Sequence, residues 1–259
     1  MGLLAGRKGL VFGVANDRSI ACHIAKSLSA EGATCAYPHL PGEKNERRTG
    51  KALEEAGFVD PWMIPCDATN DDDLDATFAA VREKFDTIDF VIHSVAYADR
   101  TYLKPGKFTE TPRDVFVQAL DISAYSLVAM ANRARAIMPN GGSIVAMTYY
   151  GGEKAIPGYN VMGVAKSALE CSMRYLALEL GQHGIRVNTI SAGPLRTLSA
   201  MAVGGIDEIF DWIPKKAPLR RNIEAGEVGK TAAFLVSDLA SGVTGENIYV
   251  DAGYNIVGL

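Results

Sequence analysis

The sequence predicts a single-domain α/β fold, doubly wound around a seven-stranded parallel sheet. Three observations carry this expectation. Short apolar runs alternate strictly with longer amphipathic segments. The runs are almost continuously apolar, as strands covered on both faces must be. No Pro/Ser-rich linker and no internal repeat divides the 259 residues, so one domain spanning 1–259 is expected.

Each element follows from its local pattern. Gly9 to Gly13 reads as a buried strand, and Ser19 to Glu31 as a helix with Ile20, Ile24 and Leu28 four apart on one face. Ala33 to Tyr37 and Trp62 to Pro65 give the second and third strands, with a helix from about Asp71 to Phe85 after them. Ile88 to His93 is the fourth strand. Pro112, well suited to a first helical turn, opens a long helix ending near Met138. Gly142 to Met147, Ile185 to Ile190 and Asn247 to Val250 complete the strands, separated by helices at about Tyr159 to His183 and Glu224 to Ser237. Ligands in such sheets bind beyond the carboxyl ends of the strands, so the residues following each strand are the ones to examine.

Composition narrows the function classes. With 48% hydrophobic and 22% charged residues the chain is neither disordered nor fibrous. A net charge of −4, from 26 basic and 30 acidic residues, argues against nucleic acid as a partner. Cys22, Cys35, Cys66 and Cys171 lie far apart, without zinc-ligand spacing, and read as reduced thiols in packed positions; no metal is expected. The N-terminal apolar run is too short for a signal peptide or a membrane span, which points to the cytoplasm and to no membrane partner.

Two strand ends suggest a nucleotide. Gly13-Val-Ala-Asn-Asp-Arg-Ser-Ile20 is a turn of mostly small residues that ends at a helix N-terminus, where free N–H groups and the dipole favour phosphate. Ser19 suits a helix cap or a phosphate donor. A carboxylate after the second strand would select NADH, yet that strand runs into Tyr37-Pro-His-Leu40. Lys44, Arg47 and Arg48 follow; they suit a 2′-phosphate or a solvated helix face, leaving NADH and NADPH both open. Asp67 after the third strand suits either adenine or a turn cap.

The stretch from Thr148 to Lys166 is the most informative. Tyr159 and Lys166 are seven apart, two helical turns, and so share a face. A lysine there lowers the phenol pKa by its charge and can hold a ribose hydroxyl. The tyrosine hydroxyl can stabilise an oxyanion or deliver a proton. Tyr149 adds a second hydroxyl at the mouth of the fifth strand. Tyr150 and Lys154 also spell Y-x-x-x-K, but Gly151, Gly152 and Pro157 argue against the helix that such a pair needs.

On these residues the chain resembles the bacterial enoyl-[acyl-carrier-protein] reductases of the FabI type, a divergent Rossmann-like branch of the short-chain dehydrogenase/reductases. The resemblance covers essentially the whole chain. It runs through Gly13-Val-Ala, Ser19-Ile-Ala, His93-Ser94, Asp121-Ile-Ser, Tyr125-Ser, Ala155-Ile-Pro, Tyr159-Asn-Val-Met-Gly, Lys166, Arg186-Val-Asn, Ile190-Ser-Ala-Gly-Pro194 and Val250-Asp-Ala-Gly253. Tyr-x6-Lys with a second tyrosine ten residues upstream marks this branch, whereas the ordinary branch uses Y-x-x-x-K and a serine where this chain has Ala146.

The resemblance implies hydride transfer from NADH, with NADPH not excluded, to C3 of a trans-2-enoyl thioester borne on acyl carrier protein. Tyr149, Tyr159 and Lys166 would be catalytic. The cofactor would lie against Gly13, Ser19, Ile20, Leu40, Asp67, Ala68, Ser94, Val95, Ala96, Lys166, Leu195 and Thr197. The substrate would meet Ala98, Tyr149, Tyr159 and Met201, under a lid at about 195–213 that includes Ile206, Ile209, Phe210 and Trp212 and hinges at Gly204-Gly205. A packed helix pair is the other reading of that segment. Lys215, Lys216, Arg220 and Arg221 are candidates for meeting the acidic carrier, and a homotetramer is implied. Ala96 stands where glycine is usual in the family, which implies weaker binding of diphenyl ethers such as triclosan. A carbonyl or ketoacyl reductase and a non-catalytic dinucleotide-binding regulator are the alternatives.

Overall fold

The computed structural model describes residues 2–198 and 200–258. Seven strands form one sheet: β1 (Lys8–Phe12), β2 (Thr34–His39), β3 (Trp62–Pro65), β4 (Phe90–His93), β5 (Gly142–Thr148), β6 (Ile185–Ala192) and β7 (Asn247–Val250). Every pairing is parallel, and the order is β3-β2-β1-β4-β5-β6-β7. The chain builds outward from β1 on one side and then returns to continue from β4 on the other. That switch opens a crevice at the carboxyl ends of β1 and β4.

The helices are α1 (Ile20–Ala30), α2 (Glu43–Glu55), α3 (Asp71–Phe85), α4 (Arg113–Leu120), α5 (Ser126–Arg135), α6 (Asn160–Leu180), α7 (Ile206–Lys216) and α8 (Ala225–Val236). Neighbouring strand residues point to opposite faces. Val11 therefore joins a core with Ile24, Leu28, Val228 and Leu235. Leu10 joins a second core with Phe78, Val81, Leu127, Met130 and Leu169. Both layers expected of a doubly wound sheet are thus present.

Several boundaries differ from the sequence expectation, each for a local reason. The long helix expected from Pro112 is broken into α4 and α5 by a π-turn at Asp121–Tyr125. The run Arg113–Arg135 is apolar and long enough to cross a membrane by composition. Ala124, Leu127, Met130 and Ala134 account for that character by packing into the second core. Helix α2 matches one of the two readings of Lys44, Arg47 and Arg48, a solvated helix face: only Thr49, Ala52 and Leu53 are buried, so it lacks an apolar stripe. Strand β2 runs on through Pro38 to His39. Strand β1 pairs only with Thr34, Cys35 and Ala36, so the missing N–H of Pro38 leaves no gap in that ladder. Cys22, Cys35 and Cys66 are buried as expected, but Cys171 is exposed on α6.

Candidate active site

A cavity of about 990 Å³ follows the carboxyl edge of the sheet. That is the upper end of the range for ligand clefts, roughly 300–1,000 Å³. Every residue assigned above to cofactor or substrate lines it except Met201.

One end is built from backbone. Gly13 ends β1 at φ +98°, and a Cβ there would lie 2.1 Å from the Ser94 carbonyl oxygen. Only glycine permits this approach of the two strand exits. The turn then enters α1, and Ser19 and Ile20 at its start line the cavity. Ser19 occupies the cap position without capping: its hydroxyl donates to the Asn16 carbonyl at 2.6 Å. The Thr49 hydroxyl donates to the Val14 carbonyl at 2.8 Å and ties α2 to this turn. Asp67 lines the cavity and also closes its own turn, accepting from the Thr69 N–H at 2.9 Å and hydroxyl at 2.8 Å. Of Lys44, Arg47 and Arg48, only Arg48 lines the cavity, beside Asn45 and Leu40.

The other end is built from side chains. Tyr149 leaves β5 and Tyr159 caps α6; their rings meet edge to face, with centroids 4.8 Å apart. Both rest on glycine. A Cβ on Gly151 would lie 2.3 Å from Tyr159 Cδ1 and 3.1 Å from Tyr149 Cδ1, and one on Gly163 would lie 2.7 Å from the Gly151 oxygen. The Tyr149 hydroxyl is buried without a partner. Lys166 is buried two turns along α6, and its Nζ donates to the Met147 carbonyl at 2.8 Å. Burial pushes its ammonium down to about 8, against the pull of Glu170. Buried Glu170 accepts the Thr148 hydroxyl at 2.6 Å.

The phenols depart from expectation. Burial pushes Tyr159 above the ordinary tyrosine range, and Tyr149 and Glu170 push the same way. Burial likewise raises Tyr149. Desolvation outweighs any charge effect of Lys166, so the pair offers neutral hydroxyl donors rather than a phenolate. The Tyr150 hydroxyl donates to the Asn255 carbonyl at 3.2 Å, and a short 3₁₀ turn, not an α-helix, spans Tyr150–Gly152.

The segment over the cavity divides between two tasks. Leu195, Leu198, Val203, Ile206 and Ile209 face inward. Phe210 and Trp212 do not line the cavity: the Arg196 guanidinium covers the Phe210 ring at 4.5 Å and Lys216 sits 4.9 Å from the Trp212 ring. Ser199 lies outside the described residues. Met201 is 49% exposed and turned away. In the 3₁₀ turn Ala200–Ala202, positions three apart eclipse one another. Ala200 and Val203 therefore both face the cavity, while Met201 points elsewhere. Below the segment, the Gly204 N–H donates to the Leu103 carbonyl at 2.8 Å, and a Cβ on Gly158 would lie 2.4 Å from the Gly204 oxygen. Of the basic candidates, Arg221 is held by Glu227 at 2.6 Å and none lines the cavity. Among the described residues no group of three or more His, Cys, Asp or Glu could hold a metal ion.

A dinucleotide suits this shape: glycine-lined backbone at one end, a buried lysine and an unpartnered hydroxyl at the other. Comparison with known proteins agrees. A family profile described as "Enoyl-(Acyl carrier protein) reductase" matches residues 13–255. The "Enoyl-[acyl-carrier-protein] reductase [NADH] FabI" of Bacillus cereus is 51% identical over 258 residues, covering all of both chains. The protein of the same name from a Nostoc species is 49% identical over 259 residues, covering 99% of each. The crystal structure of the Bacillus cereus reductase with NADP+ and indole naphthyridinone superposes with a TM-score of 0.96 at 51% identity, covering 100% of both chains.

Proposed function

Since the chain belongs to the enoyl-[acyl-carrier-protein] reductase family, and is an NAD(P)H-dependent oxidoreductase of fatty acid synthesis, we propose which side chains perform the reduction. Tyr159 is the electrostatic catalyst, Tyr149 its auxiliary hydroxyl, and Lys166 the anchor of the nicotinamide ribose. The observation that carries this reading is the pair of neutral, glycine-backed tyrosines beside one buried lysine.

The turn Gly13 to Ile20 receives the pyrophosphate on backbone N–H groups. Leu40, Asp67 and Ala68 border the adenosine, and Ser94, Val95, Ala96, Leu195 and Thr197 the nicotinamide side. When bound, the reduced nicotinamide supplies the hydride for C3 of the enoyl thioester. Negative charge then builds on the thioester oxygen. Tyr159 donates a hydrogen bond to that oxygen as the charge grows, in a site where low dielectric strengthens it. A raised pKa serves this task, because the proton stays on the phenol as a donor. Tyr149 orients the thioester or passes a proton toward C2. Ala98, Val203, Ile206 and Ile209 exclude water from the acyl chain, with residues 195–213 as the lid.

The same reading takes enoyl-acyl carrier protein as the macromolecular substrate, the cytoplasm as the site of action and a homotetramer as the assembly. Exposed Val117, Tyr125, Tyr175 and Leu178 on the two long helical segments favour self-association. The test is turnover of crotonoyl thioester, followed at the nicotinamide absorbance with NADH and then NADPH. Tyr159→Phe should lower kcat by about 10²–10³, the loss typical of an oxyanion donor. Full activity in that variant, or turnover of ketoacyl thioesters alone, would overturn the assignment.

A further inference from the structure

We propose that the π-turn Asp121–Tyr125 is a clamp on the nicotinamide-side wall of the cavity, with Ser123, Ser126 and His93 as its positioning residues. The proposal rests on the reading above, in which Ser94 to Ala96 border the cofactor.

The strip from His93 to Tyr97 is held at both ends by serines of this helical segment. At one end, His93 Nε2 lies 2.7 Å from the Ser126 hydroxyl oxygen. Ser126 spends its own proton on the Ile122 carbonyl at 2.7 Å. With the Ser126 proton on that carbonyl, the matching tautomer carries its proton on Nε2 and donates to Ser126; Nδ1 is buried and unpartnered. At the other end, the single hydroxyl of Ser123 accepts from the Tyr97 N–H at 3.0 Å and donates to the Tyr97 carbonyl at 3.2 Å. His93, Ser123 and Ser126 are essentially inaccessible, at 0%, 0% and 1%. None of the three lines the cavity.

Between those anchors, Ser94, Val95 and Ala96 face the cavity. From the neighbouring strand exit, Gly13 abuts the Ser94 carbonyl so closely that no Cβ would fit. The wall is thus held by the serines and bounded by Gly13. The extra residue of a π-turn rotates the helix after it by about 100° relative to an uninterrupted helix. Gln118, Asp121 and Ile122 can then line the cavity while Leu127, Met130 and Ala134 pack in the core. Burial, reinforced by the nearby charge of Lys166, pushes His93 down to about 3. Its imidazole is therefore held neutral at ordinary pH.

The test measures NADH affinity by cofactor fluorescence in Ser123→Ala and Ser126→Ala, together with exchange of the Tyr97 amide. Each variant should weaken NADH binding about five- to tenfold, the worth of one buried hydrogen bond. The KM for crotonoyl thioester should stay within about twofold in Ser126→Ala, whose contact with His93 lies at the end of the strip away from Ala98. The Tyr97 amide should exchange at least about tenfold faster in Ser123→Ala. A purely structural role would lower Tm and leave cofactor affinity unchanged. Wild-type affinity in both variants overturns the clamp; if Ser123→Ala does not fold, Ser126→Ala decides alone. Ala96→Phe separates this from the underlying assignment. Normal NADH binding in that variant would remove the wall itself, whereas blocked binding beside unaffected serine variants would remove only the clamp.

Discussion

At the end of the cavity proposed for the phosphates, the closest fit is made by backbone. Gly13 and the start of α1 line it, and the side chains of Ser19 and Thr49 bond to nearby carbonyls. At the tyrosine end the groups are side chains, buried and shifted in pKa, each set on a glycine or a neighbouring carbonyl. Backbone recognition needs room and a positive φ. Side-chain catalysis needs particular atoms. The first end should therefore respond to added volume and tolerate changes of side-chain chemistry, while the second should respond to the loss of single atoms.

After Tyr159→Phe, the largest expected effect is at Lys166. Lys166→Ala should lower kcat/KM for NADH by at least about 10², and Lys166→Arg should not rescue it, since a planar fork does not replace a compact buried ammonium. The wild type also carries a pH signature. The ammonium is present below about 8 and lost above it. kcat/KM for the cofactor, which reports the free enzyme, should fall as pH rises through about 8. That step should vanish in Lys166→Ala; a profile shared by both proteins would break the assignment.

Gly13→Ala comes next. The added methyl meets the Ser94 carbonyl at 2.1 Å in a backbone region that disfavours side chains. About a tenfold rise in KM for NADH and a lower Tm are expected, from a cost of roughly 1–2 kcal/mol or more. Ser19→Ala should change KM by less than about threefold. Equal effects of the two substitutions would erase the contrast between backbone and side-chain ends.

Tyr149→Phe sharpens it from the other side. Removing a buried, unpartnered hydroxyl should raise the stability of the free enzyme by about 1 kcal/mol, seen as a higher Tm, while kcat falls about tenfold. A lower Tm with unchanged kcat would make Tyr149 a packing residue. A small effect is expected at Arg48, an exposed cation on the side of the cavity proposed for the adenosine. Arg48→Gln should weaken NADPH use about two- to fivefold, as one exposed ion pair would, and leave NADH use unchanged. Equal losses with both cofactors would dissociate Arg48 from the 2′-phosphate.

The legibility of the sequence follows the same division. The parallel sheet was readable because its strands are apolar on both faces, and Tyr159 with Lys166 because their spacing matches two helical turns. Helix α2 was readable only as one of two alternatives, since three buried residues make no stripe. The π-turn was hidden inside a continuous apolar helix pattern. Met201 was misplaced because a 3₁₀ turn has a period of three, which turned Ala200 and Val203 inward instead. The direction of the Tyr159 pKa is not legible, because spacing reveals a neighbouring charge but not how dry the site is. Phe210 and Trp212 are apolar like the true lining residues, and only the Arg196 and Lys216 contacts separate them.

The contact of Gly158 with Gly204 joins the base of the lid to the loop immediately before Tyr159. Gly158 is closed to any larger residue unless Gly204 moves, and a Cβ on Gly204 would press on Pro105, Leu103 and Lys104 at 3.1–3.3 Å. A search for variants with altered acyl-length selectivity should therefore leave this joint fixed and vary Val203, Ile206 and Ile209, which face the cavity from above it. Randomising the joint would tilt the lid and displace the tyrosine together, and selectivity would be traded against turnover in the same clone.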